Sequence, residues 1–463
     1  MRARWLMLAV ALGGCSLIVP GPDDYEFVSP HDGGAPSEDA GAMDGGDFGA
    51  DAGEPEPDGG PDAGCVAGEM LCGGACVDTQ ADPANCGGCG TVCDEGWICR
   101  SGDCSDPVVD LDCGPSHTCV IRGSGSVWCW GRNESGQLGA GDFENSSSPV
   151  RVSVVDDARQ LAASGSFFGG TPGSTCVARA SGEVWCWGNN FMGKLGDGTT
   201  EPRNVPVRAE MITAAVSVGS GVRSSCVSVS ASPFLLCWGA PVAATEPREA
   251  PFSVIGLPTT SSRYPGFEMS STHACILDDA GGVWCWGSNA VGQLGDGTTD
   301  ERPVAAQVSG LPPVVEISVG TGATCAREAM GQVWCWGAAN LIGIDETSMD
   351  PVSAPVALTE MTDAVRLFAG AVSLTTCAER PGGEVWCWGD DPSETVRTGS
   401  VSYWPVPTRL TGVAAPEDMA MGLSLLCVLD ADGGVRCLGD NEFGQLGDGT
   451  TEDRESFVSV EGL

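Results

Sequence analysis

Between residues 117 and 439 one apolar pattern returns seven times. It is a short alternating run, a turn, and a second alternating run that ends in Trp-Cys-Trp-Gly at Trp128, Trp185, Trp284, Trp334 and Trp386. Worn copies read Leu236-Cys237-Trp238-Gly239 and Arg436-Cys437-Leu438-Gly439, and successive copies lie 57, 51, 48, 50, 52 and 50 residues apart. A period near fifty, with short strands and glycine turns, predicts a propeller or a solenoid.

Each string is preceded by a second cysteine. The pairs are Cys119 with Cys129, Cys176 with Cys186, Cys226 with Cys237, Cys275 with Cys285, Cys325 with Cys335, Cys377 with Cys387 and Cys427 with Cys437. Opposed positions in an antiparallel hairpin have a constant sum. Pairing Cys325 with Cys335 therefore pairs Glu328 with Gln332 and leaves Ala329-Met330-Gly331 as the loop. Such a loop calls for a type I turn followed by a left-handed residue, usually glycine. The third loop position in the six regular copies is Gly125, Gly182, Gly281, Gly331, Gly383 and Gly433, so turn chemistry and register agree. The pair Cys226 and Cys237 is one residue longer and needs a different loop around Ala231 and Ser232.

Alternation then assigns faces: Cys119, Ile121, Val127 and Cys129 to one, Val120 and Trp128 to the other. Both are apolar, so each hairpin must be covered twice, as a propeller blade is by its two neighbours. Opposed cysteines meet the distance a disulfide needs, and seven intra-hairpin disulfides are expected. Further strands, such as 315–320 and 365–370, precede the hairpins.

Composition sets the compartment. The chain has 463 residues, 62 acidic against 22 basic, and a net charge of −40, which excludes an electrostatic nucleic-acid binder. Lys194 is its only lysine. Twenty-four cysteines point to an oxidising compartment. Arg2 and Arg4, then the apolar stretch Trp5–Leu12, then Gly13-Gly14-Cys15, have the layout of a secretory signal too short to span a bilayer. Residues 16–64, rich in Asp, Gly, Ala, Pro and Glu, lack the apolar content to offset ordering entropy and read as a solvated acidic tether. Its Asp-Gly runs lack the bidentate glutamate at fixed spacing that calcium loops use.

Cys65, Cys72, Cys76, Cys86, Cys89, Cys93, Cys99 and Cys104 then fall within forty residues, too few to fold around a core alone. Four disulfides would supply the constraint, in any of 105 connectivities. Zinc is the competing reading at Cys86-Gly87-Gly88-Cys89, disfavoured outside the cytosol. Cys113 is left over and is expected to be a buried thiol, or to exchange through Cys104.

Three resemblances follow from these residues. Leu12-Gly13-Gly14-Cys15 resembles the lipobox of bacterial lipoproteins, which implies lipidation of Cys15. Ser16 follows, where the inner-membrane retention signal would be Asp, so the resemblance implies a lipid anchor in the bacterial outer membrane. The run from Cys76-Val77-Asp78 through Asp82-Pro83-Ala84-Asn85-Cys86-Gly87-Gly88-Cys89-Gly90 to Cys93 resembles the stigma-specific cysteine-rich family of plants and implies an extracellular module. Finally, Trp-Gly-x-Asn-x-x-Gly-Gln-Leu-Gly-Asp-Gly-Thr, as at Gly292–Thr298, resembles the repeat of the regulator of chromosome condensation family and implies a seven-bladed propeller. Copies one, two, four and seven carry this turn, with Lys194 for Gln in copy two. Copy five keeps only Asn340-Leu341-Ile342-Gly343, and copies three and six lack it.

The expected organisation is an all-β chain: signal peptide 1–14, tether 15–64, cysteine-rich module 65–104 and seven-bladed β-propeller 106–463. No phosphate loop, dinucleotide fingerprint or nucleophile elbow is present. His117 and His273 sit at a repeated structural position two residues before a hairpin cysteine, and His31 lies in the tether. No catalytic residue, cofactor or metal is expected. The function expected is a monomeric, surface-tethered scaffold for a protein partner, of basic character given the chain's charge. The alternatives are a regulator or inhibitor of an enzyme, by analogy with nucleotide-exchange members of the family or with a bacterial β-lactamase inhibitor of similar fold, and a structural envelope component. A bound cofactor, or convergent acids at a channel mouth, would favour an enzyme or enzyme regulator that uses the channel. Contacts are expected from loops where the repeat is worn: residues 239–251, residues 389–407 with Tyr403 and Trp404 exposed, and the insertion 164–175 with Phe167 and Phe168.

Overall fold

The computed structural model describes residues 65, 66, 69–94, 96–165, 173–230, 234–240, 248–258, 266–344, 350–390 and 403–463. Two compact units divide the chain, and the described residues from Val66 onward belong to one of them. Cys15, Phe167 and Phe168 lie outside the described residues, as do residues 231–233 of the longer hairpin loop.

Seven four-stranded antiparallel sheets follow one another along the chain. They are blade 1 (residues 108–151), blade 2 (158–208), blade 3 (215–253), blade 4 (266–307), blade 5 (316–357), blade 6 (366–409) and blade 7 (418–459). The first strand of each blade packs against the first strands of its neighbours, and that of blade 7 against that of blade 1. The first strands therefore surround the axis, and the ring is a closed seven-bladed propeller.

The hairpin register is the one the cysteine spacing requires. Cys325 faces Cys335, and the Glu328 and Gly331 amides close the loop on Gln332 and Glu328. Gly125, Gly182, Gly281, Gly331, Gly383 and Gly433 all have φ between +77° and +96°, where a Cβ would be strained. A disulfide joins the second and third strands within every blade. Cys119 is bonded to Cys129, Cys176 to Cys186, Cys226 to Cys237 and Cys275 to Cys285. Cys325 is bonded to Cys335, Cys377 to Cys387 and Cys427 to Cys437. Their Cα separations are all 4.0–4.1 Å, the close approach of directly opposed strand positions.

An apolar cluster lies in each of the seven seams between blades. In seam 1–2, Cys119, Ile121, Val127 and Cys129 of blade 1 meet Leu161, Val177 and Trp187 of blade 2. Seam 7–1 packs Cys427, Val435 and Cys437 against Val120 and Trp130, and so completes the ring. The disulfide face of each blade thus lies against the tryptophan face of the next. This satisfies the two-sided burial that the alternation demands.

The small module precedes blade 1. Its disulfides are Cys72–Cys89, Cys86–Cys99 and Cys93–Cys104, and Cys65 and Cys76 are disulfide-bonded as well. These pairings consume the cysteines of the candidate zinc site. They also leave no thiol at Cys104 to exchange with Cys113, which is buried in seam 7–1 with its Sγ 3.7 Å from Thr118 Oγ1. Asp106 ties the module's end to the first hairpin loop: its carbonyl accepts from Arg122 and its carboxylate from Ser124.

Candidate functional site

The connections from first to second strand and from third to fourth strand share one face of the ring, as the antiparallel order requires. The repeated Gly-Gln-Leu-Gly-Asp-Gly-Thr turn is a third-to-fourth connection on that face, and it latches its blade to the next. In blade 4, Asn289 organises the turn: its Oδ1 accepts the Leu294 amide at 2.9 Å and its Nδ2 donates to the Thr298 carbonyl at 3.0 Å. Asp296 accepts from Thr298 at 2.7 Å and pairs with Arg302 at 2.8 Å. The same set recurs at Asn190, Asp197 and Arg203, and at Asn441, Asp448 and Arg454. Partial burial pushes Asp197, Asp296 and Asp448 up, but the Thr hydroxyls, joined by the Thr amides and these arginines, outweigh it and hold all three below the usual carboxylate range.

The latch's leucine enters the seam, where Leu138, Leu195, Leu294 and Leu446 are fully buried. The residue before it offers its carbonyl to the next blade. Trp336 Nε1 donates to Gln293 O at 2.9 Å, and Thr324 Oγ1 donates to the same oxygen at 2.9 Å. Trp187 with Thr175, Trp238 with Ser225, and Trp130 with Thr118 do the same for Gln137, Lys194 and Gln445. Gly295 has φ +67°, and a Cβ there would come within 2.7 Å of Trp336 Nε1. Each seat for a latch is therefore an indole N–H and a hydroxyl on one blade, facing the preceding blade's disulfide.

Seam 3–4 departs from this plan. Blade 3 has no latch sequence, and blade 4 carries Ala274 where blades 1, 2, 3, 5 and 6 have Thr or Ser. A cleft of about 670 Å³ opens there. Its walls include the Cys226–Cys237 disulfide, Phe252, Met269, Ala274 and Trp286. Ile255 (70% exposed) and Val304 (40%) stand at its rim with Arg223 and Glu301. Trp286 stacks on Phe267 with ring centroids 6.5 Å apart. His273 lies at the inner end, held between Ser270 Oγ (3.1 Å from Nδ1) and Thr324 Oγ1 (2.7 Å from Nε2). Burial pulls its pKa to about 3, so it is neutral at pH 7. His117 is likewise pulled to about 3, mainly by burial and secondarily by nearby Lys194. Its Nε2 lies 3.1 Å from Thr175 Oγ1.

Three acids on the axial strands, Asp110, Asp112 and Glu316, hold backbone amides of the next blade. Asp110 and Asp112 accept the Leu161 and Ala163 amides of blade 2 at 2.8 and 2.9 Å. Gln160 accepts from Val218 of blade 3, and Glu316 of blade 5 from Leu367 of blade 6. Neighbouring first strands do not pair in a sheet, so side chains stitch them together. The cavity beside them is only about 50 Å³.

The expected aromatic anchors divide. Trp404 is not exposed: it is 5% exposed and packs in seam 6–7 with Phe368, Met419 and Met421. It lies opposite Gly389 on the fourth strand of blade 6, as Tyr403 lies opposite Asp390, so both belong to a paired strand. The Tyr403 side chain is outside the described residues. Trp404 occupies the register position of Arg203, Arg302 and Arg454, which pair with the latch aspartates elsewhere. Blade 6 has no latch for an arginine to hold, and an indole fills the seam instead. Sequence reading missed the seam 3–4 cleft, although its signal was present in the lost turn of copy three and in Ala274.

Models of the regulator of chromosome condensation repeat match residues 108–137, 124–169, 181–228 and 280–327. A model of the stigma-specific STIG1-like protein family matches residues 58–107. The chain is 29% identical over 206 residues to the E3 ubiquitin-protein ligase HERC2 of Mus musculus, covering 42% of this chain and 4% of the ligase. It is 28% identical over 230 residues to the ultraviolet-B receptor UVR8 of Arabidopsis thaliana, covering 47% of this chain and 50% of the receptor. The chain therefore spans at most half the length of these relatives. Among solved structures, human WBSCR16 superposes with a TM-score of 0.62 at 18% identity, over 73% of this chain and 94% of that one. Yeast RCC1 (Prp20), solved bound to Kap60, superposes with a TM-score of 0.61 at 19% identity, over 77% of this chain and 85% of that one. The chain thus carries segments that match the regulator of chromosome condensation repeat within a closed seven-bladed ring of the same fold as these solved structures, with a segment that matches the stigma-specific STIG1-like model ahead of it.

Proposed function

We propose that the protein is an exported, non-catalytic binding scaffold, held in the bacterial outer membrane by lipid on Cys15, that docks a protein partner on the latch-bearing face of its propeller. The observation that carries the docking reading is the open seat in seam 3–4, an apolar cleft on that face bordered by exposed Ile255 and Val304. A cleft of this size falls within the range of about 300–1,000 Å³ used by ligand pockets. The likeness to yeast RCC1, which was solved bound to Kap60, supports a protein partner. The disulfides of the described region support an oxidising compartment. Asp110 and Asp112 of the channel, which accept backbone amides, lend no support to an enzymatic reading.

Labelled fatty acid is expected to enter the wild type and not Cys15→Ser, with release of the variant from membranes. Absence of label in the wild type refutes the anchor. Affinity capture from cell envelopes with the full chain should recover a partner that the Ile255→Asp, Val304→Asp double variant does not. A partner held equally by both places the docking surface elsewhere.

A further inference from the structure

We infer that the seam 3–4 cleft is a seat for a reverse turn carried by the partner, a Gly-x-Leu-Gly-type segment that inserts one leucine-class side chain and offers the preceding carbonyl to Trp286. This rests on the protein-binding reading above and names what it binds.

The ring itself supplies the template. The cleft's walls are the counterparts of the groups that hold a latch in the filled seams. Trp286 corresponds to Trp336, which donates to the Gln293 carbonyl in seam 4–5. The Cys226–Cys237 disulfide corresponds to Cys275–Cys285, which shares a cluster with Leu294. Pro303 follows the residue opposite Gly287, as Ser353 follows the residue opposite Gly337. Ser353 is the residue against which latch glycine Gly292 packs. In seam 4–5 all three surfaces close on a single turn. In seam 3–4 the same three surfaces bound a cavity.

Chemistry narrows the occupant further. Phe252, Met269, Ala274 and Trp286 give the cleft an apolar wall, the polar lining inside is serine, threonine and neutral His273, and the charged Arg223 and Glu301 stand at the rim, so no charged group is called for inside. A leucine-class side chain reproduces what Leu294 does next door. The seat is also a weakened one. Ala274 has replaced the hydroxyl that elsewhere gives the turn carbonyl its second donor. A seat for a resident turn gains from that hydroxyl, whereas a seat for a dissociable partner functions with the indole alone. The chain's net charge of −40 favours turns flanked by basic residues.

The test uses the purified full-length chain and a labelled cyclic peptide of sequence Asn-Ala-Val-Gly-Gln-Leu-Gly-Asp-Gly-Thr-Thr, the protein's own turn 289–299. Fluorescence anisotropy should show saturable binding that weakens at least about tenfold when the peptide's leucine is replaced by aspartate. Ala274→Thr restores the second donor and should tighten binding about three- to tenfold. Ile255→Asp with Val304→Asp, both at exposed positions that leave the ring intact, should weaken it about tenfold. Equal binding of the leucine and aspartate peptides overturns the inference, as does binding indifferent to both variants. If the peptide binds only after residues 241–247 are replaced by glycine and serine, the seat belongs to the chain's own segment and the inference fails. A captured envelope partner that the rim variant still holds, with peptide binding lost, would leave the scaffold reading standing and remove this one. Peptide binding as described, with no envelope partner captured, would do the reverse.

Discussion

Blades 3 and 6 both lack the latch, yet the seams behind them differ. Behind blade 6 the described residues form a packed apolar cluster. Trp404 has entered it from the fourth strand, and the facing blade offers Met419, Met421 and Leu426, with Leu438 at the position of the usual second tryptophan. Every component of the latch and its seat has changed together: turn, arginine, hydroxyl and indole. Behind blade 3 only the turn and the hydroxyl are gone. Trp286 remains, the seam stays open, and among the described residues no large side chain has come in to close it. Loss of a repeated element is thus uninformative until its partner surface is examined. A seam whose two sides have changed in concert has been repacked, whereas one that keeps half of its seat retains a surface.

Trp404→Ala should do the greatest damage. The indole is buried in an apolar cluster, and its removal should cost about 3–5 kcal/mol in urea unfolding. Trp286→Ala, beside an existing cleft, should cost about half as much. Equal costs would erase the distinction between the two seams. Next comes the latch itself. Gly295→Ala combines a left-handed backbone with a contact on the Trp336 ring and should cost about 2–4 kcal/mol. Gly297→Ala, at φ +83° with nothing within 4 Å, should cost only about 1 kcal/mol. Similar losses at both would mean the latch glycines are chosen for backbone shape alone, not for contact with the next blade.

A smaller effect distinguishes the latch of blade 2. Gln137, Gln293 and Gln445 fold back to accept amides within their own turns. Lys194 has no acceptor, so its Nζ reaches across seam 2–3 to the Gly221 carbonyl at 3.2 Å. Burial pulls its pKa from 10.5 to about 7. A folded pKa below the unfolded one means stability fully present above pH 10.5 and lost progressively as pH falls to about 7. The melting temperature should therefore rise between pH 7 and pH 9, and Lys194→Gln should flatten that rise. On the acid side, His117 and His273, held near 3 against an ordinary 6.5, should make stability decline as pH falls from about 6.5 toward 3. A wild-type profile flat from pH 6 to pH 4 would show that neither ring is buried neutral.

Much of the ring was legible in one dimension because its determinants are local. A ten-residue cysteine spacing, as from Cys176 to Cys186 or from Cys377 to Cys387, and a glycine at the third loop position define a hairpin. Seven such hairpins with two apolar faces require neighbours on both sides. The exposure of Trp404 was misread for the converse reason. Its position breaks the repeat, and whether a broken position faces solvent or a seam depends on what the next blade presents. Histidine roles were legible, since a repeated position two residues before a cysteine is structural wherever it recurs, and both rings are buried against hydroxyls.

The chain's order alone thus determined the hairpins, their cross-links, the blade count and the two-sided burial, all of which arise between residues near one another in sequence. Only the tertiary structure decided which seam is sealed and which is open. A seat is assembled from a disulfide on one blade, an indole on the next, and a turn that local sequence can delete without recording what fills the space. Burial and cavity depend on packing across that seam, where the contacting residues lie some fifty positions apart in the chain.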